Sequence, residues 1–350
     1  MKSLEQYGWD TFFQPQQLKG DLLLGRITSI QGFKHYVITA NGEKEAELSG
    51  KMLHVASTEE LPKLGDWVTL KTYDTLGYII DVLPRRNELA RKTAGARTDR
   101  QLLAVNIDGA VIVQGLDRDF NLMRLDRYLV QLTACNITPI VVLNKVDLVE
   151  DWTKYSREIA KLQRDCVVYF CSTYTGVGLD ELRNTALEKY KTYILIGSSG
   201  VGKSSLLNAL MQTNLQEVNN TSDFNNKGKH TTTSRDLFQL PNGSLLIDTP
   251  GMREFGLTYE EGTSDDLFPA IQQFADRCRY SDCRHLQEAG CAVIEAVQSG
   301  ALDNQVYESY LKLIREQRRF EMNAEDKKRY NKQSGKRSRE ANEYRNKYKY

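Results

Sequence analysis

The hydrophobic pattern changes character twice along the chain. Between Leu22 and Leu83, five short runs (Leu22–Ile30, Tyr36–Thr39, Glu45–Leu48, Asp66–Tyr73 and Gly77–Leu83) are separated by turn residues. Such β-rich runs mark strands, and Asn41-Gly42 between two of them tolerates positive φ at both places, as a tight hairpin needs. Five strands in so short a stretch predict a small β-barrel of the OB-fold kind. Residues 1–20 are mixed and are expected to pack as an arm, and the basic, turn-rich stretch Pro84–Arg100 reads as a linker. Beyond it, near-continuous apolar runs (Val111–Gln114, Pro139–Leu143, Cys166–Cys171, Tyr193–Ile196) alternate with helical stretches over Asn121–Cys135, Trp152–Arg164 and Leu179–Lys189. Leu122, Leu125, Leu129 and Leu132 fall on one stripe of the first helix. That alternation predicts a parallel sheet with helices on both faces. From Asp266 onward the pattern is mostly helical, broken by a Cys/His cluster. The expected organisation is multidomain: an arm (1–20), a barrel (21–84), a linker (85–100), an α/β domain (101–262) and a helical domain (263–350).

Composition adds little until its distribution is considered. Charged residues make up 27% of the 350, the hydrophobic fraction is 40%, and the net charge is +1, all ordinary for a soluble globular chain. From Arg315 onward, however, 13 Lys and Arg face 6 Asp and Glu, so a basic tail follows an acidic body. Such a tail suits contact with phosphate backbones or another acidic surface. No apolar run is long enough to span a membrane, and the first residues lack the basic-then-apolar design of a secretory signal. Six cysteines, three of them clustered near His285, fit a reducing compartment with a metal site, so the cytoplasm is the expected address.

The chemistry is carried by short motifs at the ends of the predicted strands. Gly197-Ser198-Ser199-Gly200-Val201-Gly202-Lys203-Ser204, followed by Ser205, comes straight after the strand Tyr193–Ile196 and opens a helix running to Met211. Glycines let the backbone wrap an anion with inward N–H groups, and the helix N-terminus adds a favourable dipole. Lys203 would reach the β- and γ-phosphates, and the Ser204 hydroxyl would ligate Mg²⁺. Asn144-Lys145-Val146-Asp147 selects the base. The Asp147 carboxylate can accept from guanine N1–H and the N2 amino group, a donor pair that adenine lacks. Asn144 would tie this loop to the phosphate loop and to the base, while the Lys145 stem covers the ring face. Cys171-Ser172-Thr173 closes the next strand and resembles the short serine motif whose backbone amide caps guanine O6. Asp248-Thr249-Pro250-Gly251 ends the run Leu245–Ile247; Asp248 would hold Mg²⁺ through water, and the Gly251 amide would sense the γ-phosphate. Upstream lies Gly228-Lys229-His230-Thr231-Thr232-Thr233, a composition suited to a switch loop, with Thr232 the expected Mg²⁺ ligand.

The order of these motifs is unusual. N-K-x-D and C-S-T precede the phosphate loop, the threonines and D-T-P-G, whereas GTPases ordinarily run the other way round. One sheet can be built in both orders by joining the usual termini and opening the chain elsewhere. The chain therefore reads as a circularly permuted P-loop GTPase. Met252 follows Gly251 where many GTPases carry a water-orienting glutamine, so His230 is the candidate for positioning the attacking water. A bound K⁺ is disfavoured, because Gly200 stands where its asparagine ligand would be. Cys278, Cys283, His285 and Cys291, spaced C-x4-C-x-H-x5-C, offer three thiolates and an imidazole, a closed tetrahedral Zn²⁺ set of the structural kind.

Together these residues resemble the RsgA family (also called YjeQ/YloQ), circularly permuted GTPases dependent on the small ribosomal subunit. The likeness covers roughly residues 20–315 and rests on G-S-S-G-V-G-K-S-S, N-K-V-D, G-K-H-T-T-T-S-R, D-T-P-G-M-R-E and C-x4-C-x-H-x5-C-A-V. The resemblance implies GTP hydrolysis to GDP and phosphate, stimulated by the small ribosomal subunit during its late maturation. It also implies that the barrel and the zinc domain grip ribosomal RNA. The arm and the tyrosine- and lysine-rich tail after Gln333 carry no motif of that family. Two other readings stay open: a nucleotide-switched RNA-binding module with minor catalysis, and a GTPase acting on a non-ribosomal RNA. Nothing in the sequence demands a dimer, and a monomer is expected.

Overall fold

In the computed structural model, residues 3–13, 21–55, 57, 59–73, 76–92, 100–117, 119–212, 235–248 and 268–321 are described. The chain divides into two compact units, one holding the N-terminal part through Thr258 apart from 93–99, the other holding 93–99 and the segment from Tyr259 onward.

The first unit begins with the arm. A 3-10 turn, Leu4–Tyr7, lays Leu4, Tyr7 and Trp9 beside a core formed by Phe13, Trp67 and Leu83. Trp9 meets Trp67 edge-on with ring centroids 4.8 Å apart. The barrel follows: β1 (Leu23–Gln31), β2 (Lys34–Thr39), β3 (Gly42–Leu48), a short helix α1 (Gly50–Val55), β4 (Trp67–Tyr73) and β5 (Leu76–Val82). Its strand order is β1-β2-β3-β5-β4, closed by β4 pairing back onto β1 with Leu23 opposite Leu70 and Arg26 opposite Trp67. Only β3 and β5 run parallel. This closed five-stranded topology is that of the expected OB-fold. The hairpin at Asn41-Gly42 has Gly42 at φ 103°. Gly25 is fixed by closure instead, since a Cβ there would lie 2.5 Å from Val37 Cγ1 and 2.8 Å from the Ile38 carbonyl.

The stretch expected as a linker contains a strand. Glu88–Lys92 forms β6 and pairs antiparallel with β7 (Arg100–Val105), a two-stranded sheet that the basic, turn-rich composition concealed. Residues 93–99 lie outside the described ones. The α/β sheet has the order β10-β9-β8-β11-β13-β12, built from β8 (Gly109–Gly115), β9 (Thr138–Asn144), β10 (Val167–Phe170), β11 (Thr192–Ile196), β12 (Arg235–Gln239) and β13 (Leu245–Asp248). All run parallel except β12. Among the described residues, helices α2 (Leu122–Ala134), α3 (Thr153–Ala160), α4 (Leu179–Glu181) and α5 (Lys203–Met211) accompany the sheet.

Two expected helices are shorter than their patterns. Helix α3 stops at Ala160, and Gln163 then adopts φ 52°. The helix expected over Leu179–Lys189 becomes α4 followed by a π turn, Leu182–Ala186. Asn242 Nδ2, far along the chain, donates to the Arg183 and Leu187 carbonyls at 2.8 Å each and ends the helix there.

Barrel and α/β sheet are continuous. The end of β1 pairs antiparallel with β12, Ser29 opposite Asp236 and Ile30 opposite Arg235, giving one sheet of eleven strands. Arg26, earlier on β1, is fully buried. Its guanidinium donates to the carbonyls of Gly65 (3.1 Å), Asn106 (3.1 Å) and Tyr7 and to Thr192 Oγ1 (2.8 Å), so arm, barrel and α/β sheet meet at one side chain. Burial lowers its pKa to about 10, which leaves it charged at neutral pH.

The second unit holds α6 (Pro269–Ala275), α7 (Ala292–Gln298) and α8 (Asn304–Glu321), with Phe268, Ile271, Val293 and Tyr310 buried among them. The basic tail beyond Glu321 lies outside the described residues.

Candidate functional site

Strands β8, β9, β10, β11 and β13 point the same way, so the turns that follow them gather at one edge of the sheet, where α/β folds place ligands. Three of the predicted motifs meet there through a single side chain. Asn144, wholly buried at the end of β9, donates from Nδ2 to the Val201 carbonyl of the phosphate loop at 2.9 Å. Its Oδ1 accepts from the Thr173 backbone N–H at 3.2 Å. Motifs far apart and reversed along the sequence are thus fastened together.

The phosphate loop is shaped by that contact. Gly202, immediately before α5, has φ 96°, and a Cβ there would lie 2.4 Å from Asn144 Nδ2. Gly197 at the loop entrance has φ 145°, with the Val113 carbonyl 2.3 Å from where a Cβ would stand. The Lys203 ammonium lies over its own loop, donating to the Gly197 (2.8 Å) and Ser198 (2.7 Å) carbonyls. Ser204 and Ser205 are exposed on the first turn of the helix, whereas Val201 is buried.

At the other end of the edge, Lys145 takes the left-handed conformation (φ 67°), and the Val146 N–H bonds the Cys171 carbonyl at 3.2 Å. The Lys145 ammonium donates to the Gly200 carbonyl at 2.9 Å and to Asp117 Oδ2 at 2.6 Å. Ser172 does more than its motif suggested. Its hydroxyl donates to Asp147 Oδ1 and accepts from the Tyr174 (3.2 Å) and Thr175 (3.0 Å) amides, so the serine orients the carboxylate expected to read the base. Cys171 is buried, and desolvation pushes its thiol up to about 12, which keeps it a neutral core group.

The RsgA GTPase family model matches residues 82–258. A curated relative from Bacteroides thetaiotaomicron, "Small ribosomal subunit biogenesis GTPase RsgA 1", is 40% identical over 330 residues and covers 93% of each chain. The RsgA 2 protein of Listeria monocytogenes is 39% identical, covering 90% of this chain and 89% of its own. The chain belongs to the RsgA GTPase family. Two solved structures share its architecture. YjeQ from Thermotoga maritima has a TM-score of 0.62 at 27% identity, covering 84% of this chain and 98% of its own. YloQ, described as a circularly permuted GTPase, has a TM-score of 0.61 at 25% identity, covering 88% and 99%. This RsgA-family chain is accordingly a GTP-hydrolysing enzyme with its motifs in permuted order.

His230, Thr232, Gly251 and Met252 lie outside the described residues, and of Asp248 only the backbone at the end of β13 is described. Asp117 is a residue that motif reading missed. It follows β8, which carries no nucleotide motif, and its only signal in the sequence is its place just after a buried strand. The Lys145 ammonium holds its carboxyl below the usual range.

In the second unit the four predicted ligands converge. One donor atom from each of Cys278, Cys283, His285 and Cys291 lies within 4.8 Å of the others, with His285 Nδ1 facing Cys278 Sγ at 3.5 Å and Cys291 Sγ at 3.4 Å. Three sulfurs and one nitrogen so close suit a soft, tetrahedral cation. Desolvation and the neighbouring sulfurs push the Cys283 thiol up to about 12, and a bound soft cation would favour its thiolate. The set is compatible with zinc. Left-handed His285 (φ 55°) and Tyr307, whose hydroxyl donates to the His285 carbonyl at 2.6 Å, fix the turn.

Proposed function

We propose that this chain hydrolyses GTP to GDP and phosphate in the late maturation of the small ribosomal subunit, and that the subunit stimulates the reaction. The observation that carries the reading is the Asn144 bridge, which brings a guanine-selective loop and a phosphate loop to one edge. Asp147 would accept from guanine N1–H and N2, Lys145 would cover the ring, and the C-S-T backbone would cap O6. The amides of Gly197–Gly202 would cradle the phosphates, with Lys203 leaving its loop carbonyls to bond the β- and γ-oxygens. The Ser204 and Thr232 hydroxyls and the Asp248 carboxylate would supply hard oxygen donors of the kind Mg²⁺ prefers. When bound, that ion neutralises charge on the β- and γ-phosphates. Gly251 would sense the γ-phosphate, and His230 would hold the attacking water. Cys278, Cys283, His285 and Cys291 would hold one structural Zn²⁺. The acting species is one chain, in the cytoplasm, gripping ribosomal RNA through its barrel and its cysteine-bearing domain. Among the described residues no helix is long and apolar enough to cross a membrane.

Multiple-turnover GTP hydrolysis with and without isolated small subunits tests the proposal. Strong stimulation is expected. Nucleotide-dependent subunit binding without stimulation would favour the RNA-binding-switch reading, which Met252 at the usual glutamine position supports.

A further inference from the structure

The turn after β8 is built around a carboxylate that no nucleotide motif calls for. Leu116 N–H bonds the Asn144 carbonyl at 2.8 Å, fastening this turn to the residue that bridges the nucleotide loops. Asp117 Oδ1 accepts from the Asp119 N–H at 3.0 Å, which sets the orientation of the carboxylate. Its other oxygen takes the Lys145 ammonium at 2.6 Å, while the same ammonium bonds Gly200 of the phosphate loop at 2.9 Å. Gly115 leaves the room for this pair, since a Cβ there would lie 2.8 Å from Asp117 Oδ1 and 3.4 Å from Lys145 Cδ.

We propose that Asp117 is a positioning residue for guanine-nucleotide retention: it clamps the Lys145 ammonium against the Gly200 carbonyl, so that the lysine stem presents a fixed wall to the base. The proposal rests on the placement of Lys145 over the ring given above. Two physical arguments separate it from a merely structural role. The pair is partly exposed, 28% for Lys145 and 33% for Asp117, and such ion pairs add little to folding. A long side chain held in one rotamer before the ligand arrives, however, spares its ordering cost at the moment of binding. Charge alone predicts the opposite sign, because removing a carboxylate beside an anionic nucleotide should tighten binding. Faster release on its removal therefore reports positioning.

The test follows release of N-methylanthraniloyl-GDP from the full chain by stopped flow, for wild type, Asp117→Ala, Asp117→Asn, Lys145→Ala, Asp147→Ala and the Asp117→Ala/Lys145→Ala double variant. Asp117→Ala should release the probe roughly three- to tenfold faster. Asp117→Asn, whose amide oxygen still accepts from Lys145, should fall between. The double variant should release no faster than Lys145→Ala alone, because the carboxylate acts through the lysine. The KM for GTP should rise with kcat held, and the thermal midpoint should stay within a degree or so of wild type. An unchanged release rate in Asp117→Ala, or multiplying effects in the double variant, overturns the proposal. If Asp147→Ala also retains the probe like wild type, the guanine-site reading itself has failed. If Asp147→Ala releases quickly and Asp117→Ala does not, only the role of Asp117 is lost.

Discussion

At the scale of single residues, two side chains carry consequences that can be measured. Asp147 is held by the Ser172 hydroxyl, and in the proposed site it would face a base whose N1–H and N2 amino groups both donate. Replacing it with Asn turns one acceptor into a donor, which clashes with the guanine amino group but matches the C2 carbonyl of xanthine. Asp147→Asn should therefore lose GTP affinity by about 100-fold or more and gain affinity for xanthosine triphosphate. Competition binding with both nucleotides checks this, and unaltered preference for GTP would remove Asp147 from base recognition. Arg26 is the second case. Its four acceptors belong to Tyr7, Gly65, Asn106 and Thr192; Arg26→Met would take this donor from the Tyr7 and Asn106 carbonyls, while the Gly65 carbonyl keeps Asn106 Nδ2. A loss of roughly 2–4 kcal/mol is expected in urea unfolding. Arg26→Lys should restore less than half of it, because one ammonium cannot serve a planar fork of acceptors.

At the scale of elements, the turn between β11 and α5 and the buried face of β2 each make a prediction. Gly202→Ala would put a methyl 2.4 Å from Asn144 Nδ2 at φ 96°, so the Asn144 bridge to Val201 and Thr173 must open. Nucleotide affinity should fall at least about tenfold while the far-ultraviolet circular dichroism is kept. An Ala variant that binds GDP normally would show that the bridge is dispensable. On β2, His35 is 6% exposed, and desolvation lowers its pKa by more than the Phe33 and Ala46 backbone raises it, with Lys63 adding to the lowering. The unfolded chain takes up a proton near pH 6.5 and the folded barrel resists it, so this contribution is whole above pH 6.5 and is lost as pH falls toward the lowered folded value. Stability should drop by up to about 1.4 kcal/mol per pH unit in that window, and His35→Leu should flatten the profile.

The same scale explains what the sequence could and could not convey. Pro139–Leu143 and Tyr193–Ile196 were legible because each is an apolar run ending in a chemically demanding motif, which fixes both the strand and its direction. β6 was not, since Glu88-Leu89-Ala90-Arg91-Lys92 is short and charged and takes its register from β7, several residues beyond. The early end of α4 depends on Asn242, which no local pattern around Leu179–Lys189 contains. Asp117 and the Ser172–Asp147 bond escaped for the same reason: their meaning lies in partners 28 and 25 residues away. Spacing anticipated that Cys278, Cys283, His285 and Cys291 would gather, because metal-site chemistry constrains sequence distance directly.

At the scale of the whole molecule, the two compact units should differ in what holds them. Arm, barrel and α/β sheet share one core of cross-connections. Ser29 of the barrel lies opposite Asp236 of β12, which lies opposite Asp248 of β13, so one ladder runs from barrel to nucleotide edge. Arg86 adds ion pairs to Asp10 of the arm and to Asp108, which also takes Lys191 at 3.2 Å. A barrel wired in this way cannot unfold without breaking the α/β sheet, so the two should melt in one transition. The second unit instead surrounds four ligands that a cation would hold together, and metal-binding free energy becomes folding free energy in such small domains. A strong zinc chelator should therefore release about one zinc per chain and melt α7 and α8. N-methylanthraniloyl-GDP binding and the main thermal transition should stay intact. Cys291→Ser should reproduce the effect without chelator. Loss of GDP binding on chelation would mean that the cysteine cluster supports the nucleotide edge as well, and that the cooperative boundary lies elsewhere than between these two bodies.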